Sequence, residues 1–135
     1  MSITIRRLRP DESRVFLEIH GRSVHGLART HYPPEILHVW AAPVTPESIR
    51  RFEARADSEI RLIAELLGIP AGVGCLSLRD AEVTACYVVP EAARRGVGTA
   101  LMREMERVAL SEGMHRLTLL ASLNAESFYS SLGYE

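Results

Sequence analysis

The sequence predicts an α+β domain in which a mainly antiparallel sheet is flanked by helices. Three segments with the character of strands follow one another between residues 60 and 89, separated by short turns, as in an antiparallel meander. Apolar residues at helical spacing precede this meander up to about residue 28 and follow it from residue 97 to about residue 112. A strand, a glycine-containing turn and a helix are therefore expected in succession from Cys86 to Met102.

The N-terminal part is predicted to contain one strand and three helices. Ser2–Arg9 alternates in polarity like a half-buried strand. Asp11 is the expected N-cap of a helix that ends near residue 28. The prolines of His31–Trp40 favour a short helix after them, and Thr45 followed by proline is typical of the start of another helix.

The central strands are predicted at Ile60–Leu66, Ala71–Leu78 and Glu82–Val89. Gly68–Pro70 is expected to form the first turn between them. If Asp80 and Ala81 form a two-residue second turn, Cys75 lies opposite Cys86, whereas a β-bulge would shift this register. Both thiols are expected to be free.

The C-terminal part continues with a helix, a strand and a final helix. An inward-facing stripe marks the first helix, and Gly113 stops it; the stripe consists of Val97, Leu101, Met105 and Val108. Arg116–Ala121 follows as a strand, and Asn124 is the expected cap of a helix that ends near Leu132.

Composition limits the classes of protein to consider. A chain of 135 residues with 47% hydrophobic and 24% charged residues suits one globular domain, taken as residues 1–135. The formal net charge of −1 argues against general nucleic-acid binding. With no apolar run of membrane-spanning length and no signal-peptide pattern, we expect a cytoplasmic protein without a membrane partner. Two cysteines do not make a disulfide framework.

The turn after Val89 carries the clearest chemical signal. The first N–H groups of a helix lack intrahelical partners and carry partial positive charge. Gly96 and Gly98 let a ligand approach this backbone closely, and Arg94 and Arg95 add full positive charge. Phosphate or diphosphate binding is the function that this combination favours, although a basic surface turn before an ordinary helix has the same residues.

Two familiar phosphate-binding loops do not match. A P-loop requires a Gly-Lys pair, and the sequence contains none. A dinucleotide-binding turn requires a third glycine or alanine where Leu101 stands, and an early place in the chain.

The turn instead resembles the acetyl-CoA-binding motif of the GNAT (Gcn5-related N-acetyltransferase) superfamily, [QR]-x-x-G-x-[GA], preceded by a strand that ends in V-V-P. Residues Ser122–Tyr134 resemble the closing N-x-x-x-x-F/Y-Y-x-x-x-G-F/Y signature of that family at the expected distance. The resemblance covers nearly the whole chain and implies a mixed, mainly antiparallel GNAT sheet. Ala93 departs from the motif. The resemblance implies a further strand that starts at Tyr134, and this last strand is expected to be absent, by truncation or by nature.

The resemblance implies which residues bind the co-substrate, acetyl-CoA. Backbone groups of the strand Cys86–Val89 contact the pantetheine arm, with the Cys86 N–H polarising the thioester carbonyl. The remaining contacts fall on the turn, the helix start and the closing signature, at Arg94, Arg95, Gly96, Val97, Gly98, Thr99 and Asn124. A central core strand and a helix cap are the ordinary structural roles of the same residues.

The catalytic candidates are Glu82 and Tyr129. Glu82 lies fourteen residues before Gly96, where the histone-acetylating branch of the family has its glutamate base; an exposed acid at a strand start, with water as the base, is the alternative. Tyr129 matches the tyrosine that protonates the leaving thiolate, and a phenol of ordinary pKa can do so. A half-buried helical aromatic is the structural alternative.

Other reactive residues carry weaker expectations. A nucleophilic role for Cys86 lacks a histidine pattern, and a structural thiol is preferred. No metal site is expected, because the five histidines show no ligand spacing. His31, Tyr32 and Trp40 fall where this family places its variable acceptor-binding helices, and packing on the core is the alternative for Trp40.

The resulting hypothesis is an enzyme that transfers an acetyl group from acetyl-CoA to a primary amine by direct attack in a ternary complex. A GNAT-fold sensor that binds acyl-CoA without catalysis is the first alternative, and an interaction protein with a purely structural glycine turn is the second. The acceptor stays open among small amines and protein amines, and a homodimer is possible.

Overall fold

The computed structural model of the chain describes residues 2–27, 32–119 and 131–134. Within them, the helices are α1 (Ser13–Leu27), α2 (Pro34–Trp40), α3 (Pro46–Ala54) and α4 (Val97–Ser111). The strands are β1 (Ile3–Arg7), β2 (Glu59–Leu66), β3 (Ile69–Ser77), β4 (Glu82–Val88) and β5 (Thr118–Leu119). Short 3₁₀ turns occupy Pro10–Glu12, Ala56–Ser58 and Pro90–Ala92.

The described strands form one sheet in the order β1-β2-β3-β4-β5. The first four strands pair antiparallel, and β4 pairs parallel with β5 at Glu82 and Val83. The predicted mixed, mainly antiparallel sheet flanked by helices is therefore confirmed. The parallel pair is possible because α4 crosses from the end of β4 back to the start of β5.

The two longest helices cover opposite faces of the sheet. Neighbouring residues of a strand point to opposite faces. Cys86 of β4 contacts the first turn of α4 through the Gly98 carbonyl, whereas Tyr87 stacks on His20 of α1 with ring centroids 4.5 Å apart. The strand that the sequence assigns to cofactor binding thus lies between α1 and α4.

Helix α4 packs closely on β3 because two residues of that strand have no side chain. A Cβ atom on Gly72 would lie 3.0 Å from Val97 Cγ1, and one on Gly74 would lie 3.0 Å from Met105 Cε. The predicted inward stripe of α4 is confirmed as buried; its members are Val97, Leu101, Met105 and Val108. Burial of each such side chain stabilises the fold by about 1.5–3 kcal/mol.

The register between β3 and β4 corrects one prediction. Cys75 lies opposite Ala85, and Cys86 lies opposite Gly74, so the two cysteines do not face each other. The second turn is four residues long, from residue 78 to 81, and Thr84 is an extra residue of β4. This β-bulge shifts the pairing by one position. Both thiols are free, as expected.

The turn between β2 and β3 and the start of α1 also differ from the predictions. The β2–β3 turn consists of Leu67 and Gly68, both with positive φ (55° and 81°), and the next two residues already belong to β3. Such a two-residue turn matches the twist of a hairpin. Asp11 lies inside a 3₁₀ turn rather than capping α1, and Glu12 accepts a hydrogen bond from the Arg9 backbone N–H at 2.8 Å.

The predicted start of α3 and end of α4 are confirmed. The Thr45 side chain accepts a hydrogen bond from the Ser48 backbone N–H at 3.1 Å, and Pro46 is the first residue of α3. Gly113 ends α4 with φ of 82°. Of the predicted strand Arg116–Ala121, only Thr118 and Leu119 form β5; the two residues before them are not in a strand, and the last two lie outside the described ranges, as does the predicted cap of the final helix, Asn124.

Candidate functional site

The turn between β4 and α4 contains two residues in the left-handed backbone region. The φ angle of Arg94 is 62°, and that of Gly96, the N-cap of α4, is 87°. Glycine adopts this conformation freely, but a residue with a side chain is strained in it. The turn is therefore held in its shape by its surroundings and not by the local preference of Arg94.

The backbone amides at the start of α4 have no acceptor in the described part of the chain. No described residue accepts a hydrogen bond from the N–H groups of residues 96–99, and the first intrahelical bond runs from the Ala100 N–H to the Gly96 carbonyl at 3.0 Å. Four such amides and the positive end of the helix dipole converge at one point. The arrangement fits an anion with several oxygen atoms, such as a diphosphate.

Two arginines beside these amides carry charge that the described part of the chain does not neutralise. Arg94 and Arg95 are exposed and form no ion pair with a described residue. By contrast, two arginines further along α4 are paired with acids of their own helix, Arg103 with Glu106 at 2.8 Å and Arg107 with Glu104 at 2.5 Å. Positive charge is thus concentrated at the N-terminal end of α4.

The amides are fixed relative to the sheet. Val97 is 1% exposed and packs over Gly72, and the Cys86 thiol donates a weak hydrogen bond to the Gly98 carbonyl with 3.8 Å between the heavy atoms. The Val89 N–H donates to the Ala71 carbonyl at 2.9 Å. The end of β4 and the start of α4 therefore form one rigid corner.

The strand residues assigned to cofactor binding lie at this corner. Cys86, Tyr87 and Val88 are half-buried, and Val89 is buried. The bulge at Thr84 separates them from the start of β4, where the strand pairs with β5. The structure therefore brings together the predicted positions from 86 to 99 in one region.

Glu82 lies at the other end of β4. It pairs with Ser77 on one side and with Thr118 on the other, and it is partly exposed. Four residues separate it from Cys86, which corresponds to roughly 13 Å of strand. A carboxylate at this distance reaches the residues predicted to contact the thioester only through water or through a substrate that lies between them.

Three of the predicted site residues, Asn124, Tyr129 and His31, lie outside the described residues. Of the remaining acceptor candidates, Tyr32 packs against a small apolar cluster of Val24, Leu37 and Ala41, which Tyr87 also contacts. Tyr32 is thus brought near the face of β4 that α1 covers. The side chain of Trp40 is not among the described ones.

His20 lies next to the candidate site, although the sequence pattern did not indicate it. Its ring lies against Tyr87 of β4, and burial lowers its pKa from 6.5 to about 4, with a smaller contribution from the nearby His25. Its imidazole is therefore neutral at pH 7. No local pattern indicates this contact, because His20 and Tyr87 are far apart in the chain.

The described residues contain no group of three side chains placed to bind a metal ion. None of the helices described has the length and apolar character needed to cross a bilayer.

Comparison with known proteins is consistent with this geometry. The model of the acetyltransferase (GNAT) family matches residues 11–134. An uncharacterized N-acetyltransferase of Escherichia coli K12, YafP, is 29% identical over 134 residues, which is 99% of this chain and 82% of that protein.

Solved structures agree at the level of the fold. A GCN5-related N-acetyltransferase from Rhodopseudomonas palustris superposes with a TM-score of 0.89 at 31% identity, over 99% of this chain and 82% of that chain. The PaiA N-acetyltransferase from Thermoplasma acidophilum, solved in complex with coenzyme A, gives a TM-score of 0.84 at 22% identity, over 100% and 91% of the two chains.

Proposed function

The chain belongs to the acetyltransferase (GNAT) family, and on that premise we propose that it transfers an acetyl group from acetyl-CoA to a primary amine by direct attack in a ternary complex. The match to the family spans residues 11–134, and the similar structure of the Thermoplasma protein was solved with coenzyme A. Both findings support acetyl-CoA as the co-substrate. The finer proposals below concern the residues of this chain.

One observation carries the proposal. The amides of residues 96–99 have no acceptor among the described residues, and two exposed arginines without ion pairs adjoin them. Unpaired donors and unneutralised charge at a helix start fit the diphosphate of coenzyme A. Arg94, Arg95 and the backbone from Gly96 to Thr99 would bind that group, with Asn124 as a further contact from the closing signature.

The strand β4 would bind the remainder of the co-substrate. Its residues Cys86, Tyr87 and Val88 continue directly from the corner that holds the helix start, and Val89 closes that corner. A pantetheine arm that runs along these residues places the thioester beside Tyr87. Since Tyr87 and Tyr32 pack on the same cluster, the acceptor amine would approach from the side of α1 and α2.

The chemistry requires three proton transfers. The ammonium form of the amine loses one proton before its nitrogen attacks the thioester carbon, and the C–S bond then breaks to release a thiolate that takes up a proton. The nitrogen loses its second proton as the amide forms, and this proton returns through water to the group that protonated the thiolate. We assign the first proton to Glu82, acting through water because of its distance along β4. We assign the proton that neutralises the thiolate to the phenol of Tyr129.

Binding is the first test. Isothermal titration of acetyl-CoA into the wild-type protein should show saturable binding, and replacing both Arg94 and Arg95 by alanine should weaken it by at least about tenfold, the loss of one charge-assisted hydrogen bond. Arg50→Ala is the matched control, because Arg50 is an exposed arginine of α3. Absence of binding by the wild-type protein would reject the function, and equal affinities would reject the assigned diphosphate site.

Catalysis is the second test. Release of free thiol from acetyl-CoA, measured with a panel of amines, should identify accepted substrates and exclude a non-catalytic sensor. Tyr129→Phe and Glu82→Gln should each lower kcat by roughly 100-fold or more while leaving acetyl-CoA affinity close to that of the wild type. A variant with unchanged kcat would remove that residue from the mechanism.

We also propose that residues 1–135 form a single domain that works in the cytoplasm and has no nucleic-acid partner. The near-neutral net charge of −1 and the two free thiols support this setting. A homodimer is the assembly to test, by light scattering during gel filtration; a monomeric mass at micromolar concentration would exclude it.

A further inference from the structure

The turn that precedes α4 has few anchors of its own. Val89 and Val97 are buried at its two ends, but of the seven residues between them only Ala92 is buried. Arg94 nevertheless holds a left-handed backbone conformation, with φ of 62°. A strained residue keeps such a conformation only where the surrounding structure imposes it.

Helix α1 supplies two contacts to this turn. A Cβ atom built on Gly26 would lie 2.3 Å from Pro90 Cγ, so the backbone of α1 lies directly against the Pro90 ring. One helical turn earlier, Arg22 forms an ion pair with Glu91. Residues four positions apart share one face of a helix, so this face of α1 contacts two consecutive residues of the turn.

Helix α1 also contacts β4, the strand proposed to bind the pantetheine arm. His20 of α1 lies against Tyr87 of β4, whose ring is 4.5 Å away between centroids. Because α1 is one continuous helix, its contacts with β4 and with the Pro90 turn are rigidly related. A displacement of α1 at Gly26 would therefore move the turn relative to the strand.

We propose that α1 positions the diphosphate-binding turn and that Gly26 is the positioning residue, because only glycine allows the helix to lie against Pro90. This inference rests on the function proposed above. Gly26 itself touches no ligand. It acts through Pro90, which fixes the path of the chain into Arg94 and Gly96 and so sets where the amides of residues 96–99 point.

The chain offers a matched control on the same helix. Gly21 also lies within α1, but a Cβ atom built there meets nothing within 4 Å. Glycine-to-alanine replacement raises intrinsic helix propensity at both positions. Any loss of affinity in Gly26→Ala that Gly21→Ala does not show therefore reports the contact with Pro90.

The test measures coenzyme A affinity by isothermal titration for the wild type, Gly21→Ala and Gly26→Ala. Gly26→Ala should bind about tenfold more weakly, equivalent to one charge-assisted hydrogen bond to the diphosphate, and Gly21→Ala should bind like the wild type. With an accepted amine, the KM for acetyl-CoA should rise by the same factor while kcat stays unchanged. A raised KM with unchanged kcat is expected when the same binding energy is lost in the ground state and in the transition state. A general loss of folded protein would instead lower the apparent kcat.

A double-mutant cycle with Pro90→Ala separates the proposed contact from other effects of the new methyl group. Pro90→Ala removes the ring atom that the methyl group would meet, so Gly26→Ala should cost little affinity in that background. A tenfold cost in both backgrounds would overturn the proposal, as would equal affinity of Gly26→Ala and wild type. If the wild-type protein bound no coenzyme A, the proposed function would fail first.

Discussion

Arg94 and Gly96 adopt the same left-handed backbone region for different reasons. Glycine reaches it freely, so the position of Gly96 at the N-cap of α4 could be inferred from the sequence. The φ of 62° at Arg94 could not, because an arginine adopts it only when neighbouring groups compensate its strain. A residue's identity therefore predicted the cap but not the full shape of the turn.

His20 is the residue whose environment departs most from what its sequence position indicated. It lies on α1 within an amphipathic helix pattern, yet its half-buried ring packs against Tyr87. Burial favours the uncharged imidazole and lowers the pKa to about 4. The unfolded chain, where the pKa is near 6.5, binds this proton far more readily.

The pH dependence of stability should show this difference. The folded-state pKa of His20 lies below the unfolded value, so His20 does not lower the free energy of unfolding above about pH 6.5, where it is neutral in both states. The free energy of unfolding decreases as the pH falls from about 6.5 toward about 4, because the unfolded chain then binds a proton that the folded protein does not. At pH 4.5 the loss should be roughly 2 kcal/mol in the free energy of unfolding. Urea denaturation at pH 7 and pH 4.5 measures it.

Glutamine at position 20 supplies the comparison for that experiment. His20→Gln cannot titrate, so its free energy of unfolding should fall less than that of the wild type between the two pH values. The carboxyl groups that also titrate in this range are common to both proteins and cancel in the difference. Equal losses in the two proteins would show that the pKa of His20 is the same in the folded and unfolded states.

Among the elements, α4 is the one whose packing follows most directly from its sequence. Its apolar residues repeat at helical spacing, and the structure buries that stripe on the two side-chain-free residues Gly72 and Gly74 of β3. The periodicity determined which face turns inward. The periodicity did not show that two glycines of a central strand form the opposing surface, because this depends on the register of the sheet.

Two leucines of α4 provide a paired test of this packing. Leu101 is fully buried, whereas Leu110 is 64% exposed on the same helix. Leu101→Ala should lower the free energy of unfolding by about 2–5 kcal/mol through lost burial and a residual cavity. Leu110→Ala should change it by less than about 0.5 kcal/mol, since it is a surface substitution. Urea denaturation of the three proteins measures both values, and similar losses would contradict the assigned orientation of α4.

Strand boundaries were predicted less well than helix faces. The β3–β4 register differs from the predicted one because the turn is four residues long and Thr84 is inserted as a bulge, and β3 begins earlier because Leu67 adopts a positive φ in a two-residue turn. Neither feature has a distinctive residue pattern: threonine is an ordinary strand residue, and leucine is rarely left-handed. Pairing across the sheet decided both.

At the scale of the whole molecule, the candidate site depends on the folded assembly of four elements. The corner between β4 and α4 presents the amides, while α1 contacts both the strand and the turn before the helix. An unfolded chain contains the same residues without this arrangement. Coenzyme A should therefore bind the native state alone and stabilise it.

Thermal unfolding with ligand should show that stabilisation. Free coenzyme A at a hundred times its Kd should add about 2.7 kcal/mol to the free energy of unfolding. For a chain of this length the midpoint should rise by roughly 5–10 °C. Pantetheine at the same concentration is the control, because it lacks the diphosphate and should raise the midpoint much less. An equal rise with both compounds would place binding away from the start of α4.

The sequence by itself determined the class of the fold, the inward face of α4 and the place of the basic glycine turn. Each of these depends on local information: a period of apolar residues, the conformational freedom of glycine and the unpaired amides of any helix start. The resemblance of the turn and of the closing signature added the family, which the match over residues 11–134 confirmed.

Only the tertiary structure decided the register at Thr84, the burial of His20 against Tyr87 and the contact between Gly26 and Pro90. These features join residues that are far apart in the chain or depend on pairing between strands. Their energies arise from burial and steric contact, which exist only once α1, β4 and the turn have come together. Local sequence patterns do not predict such contacts. They do predict the start of α4, which the proposed diphosphate site requires.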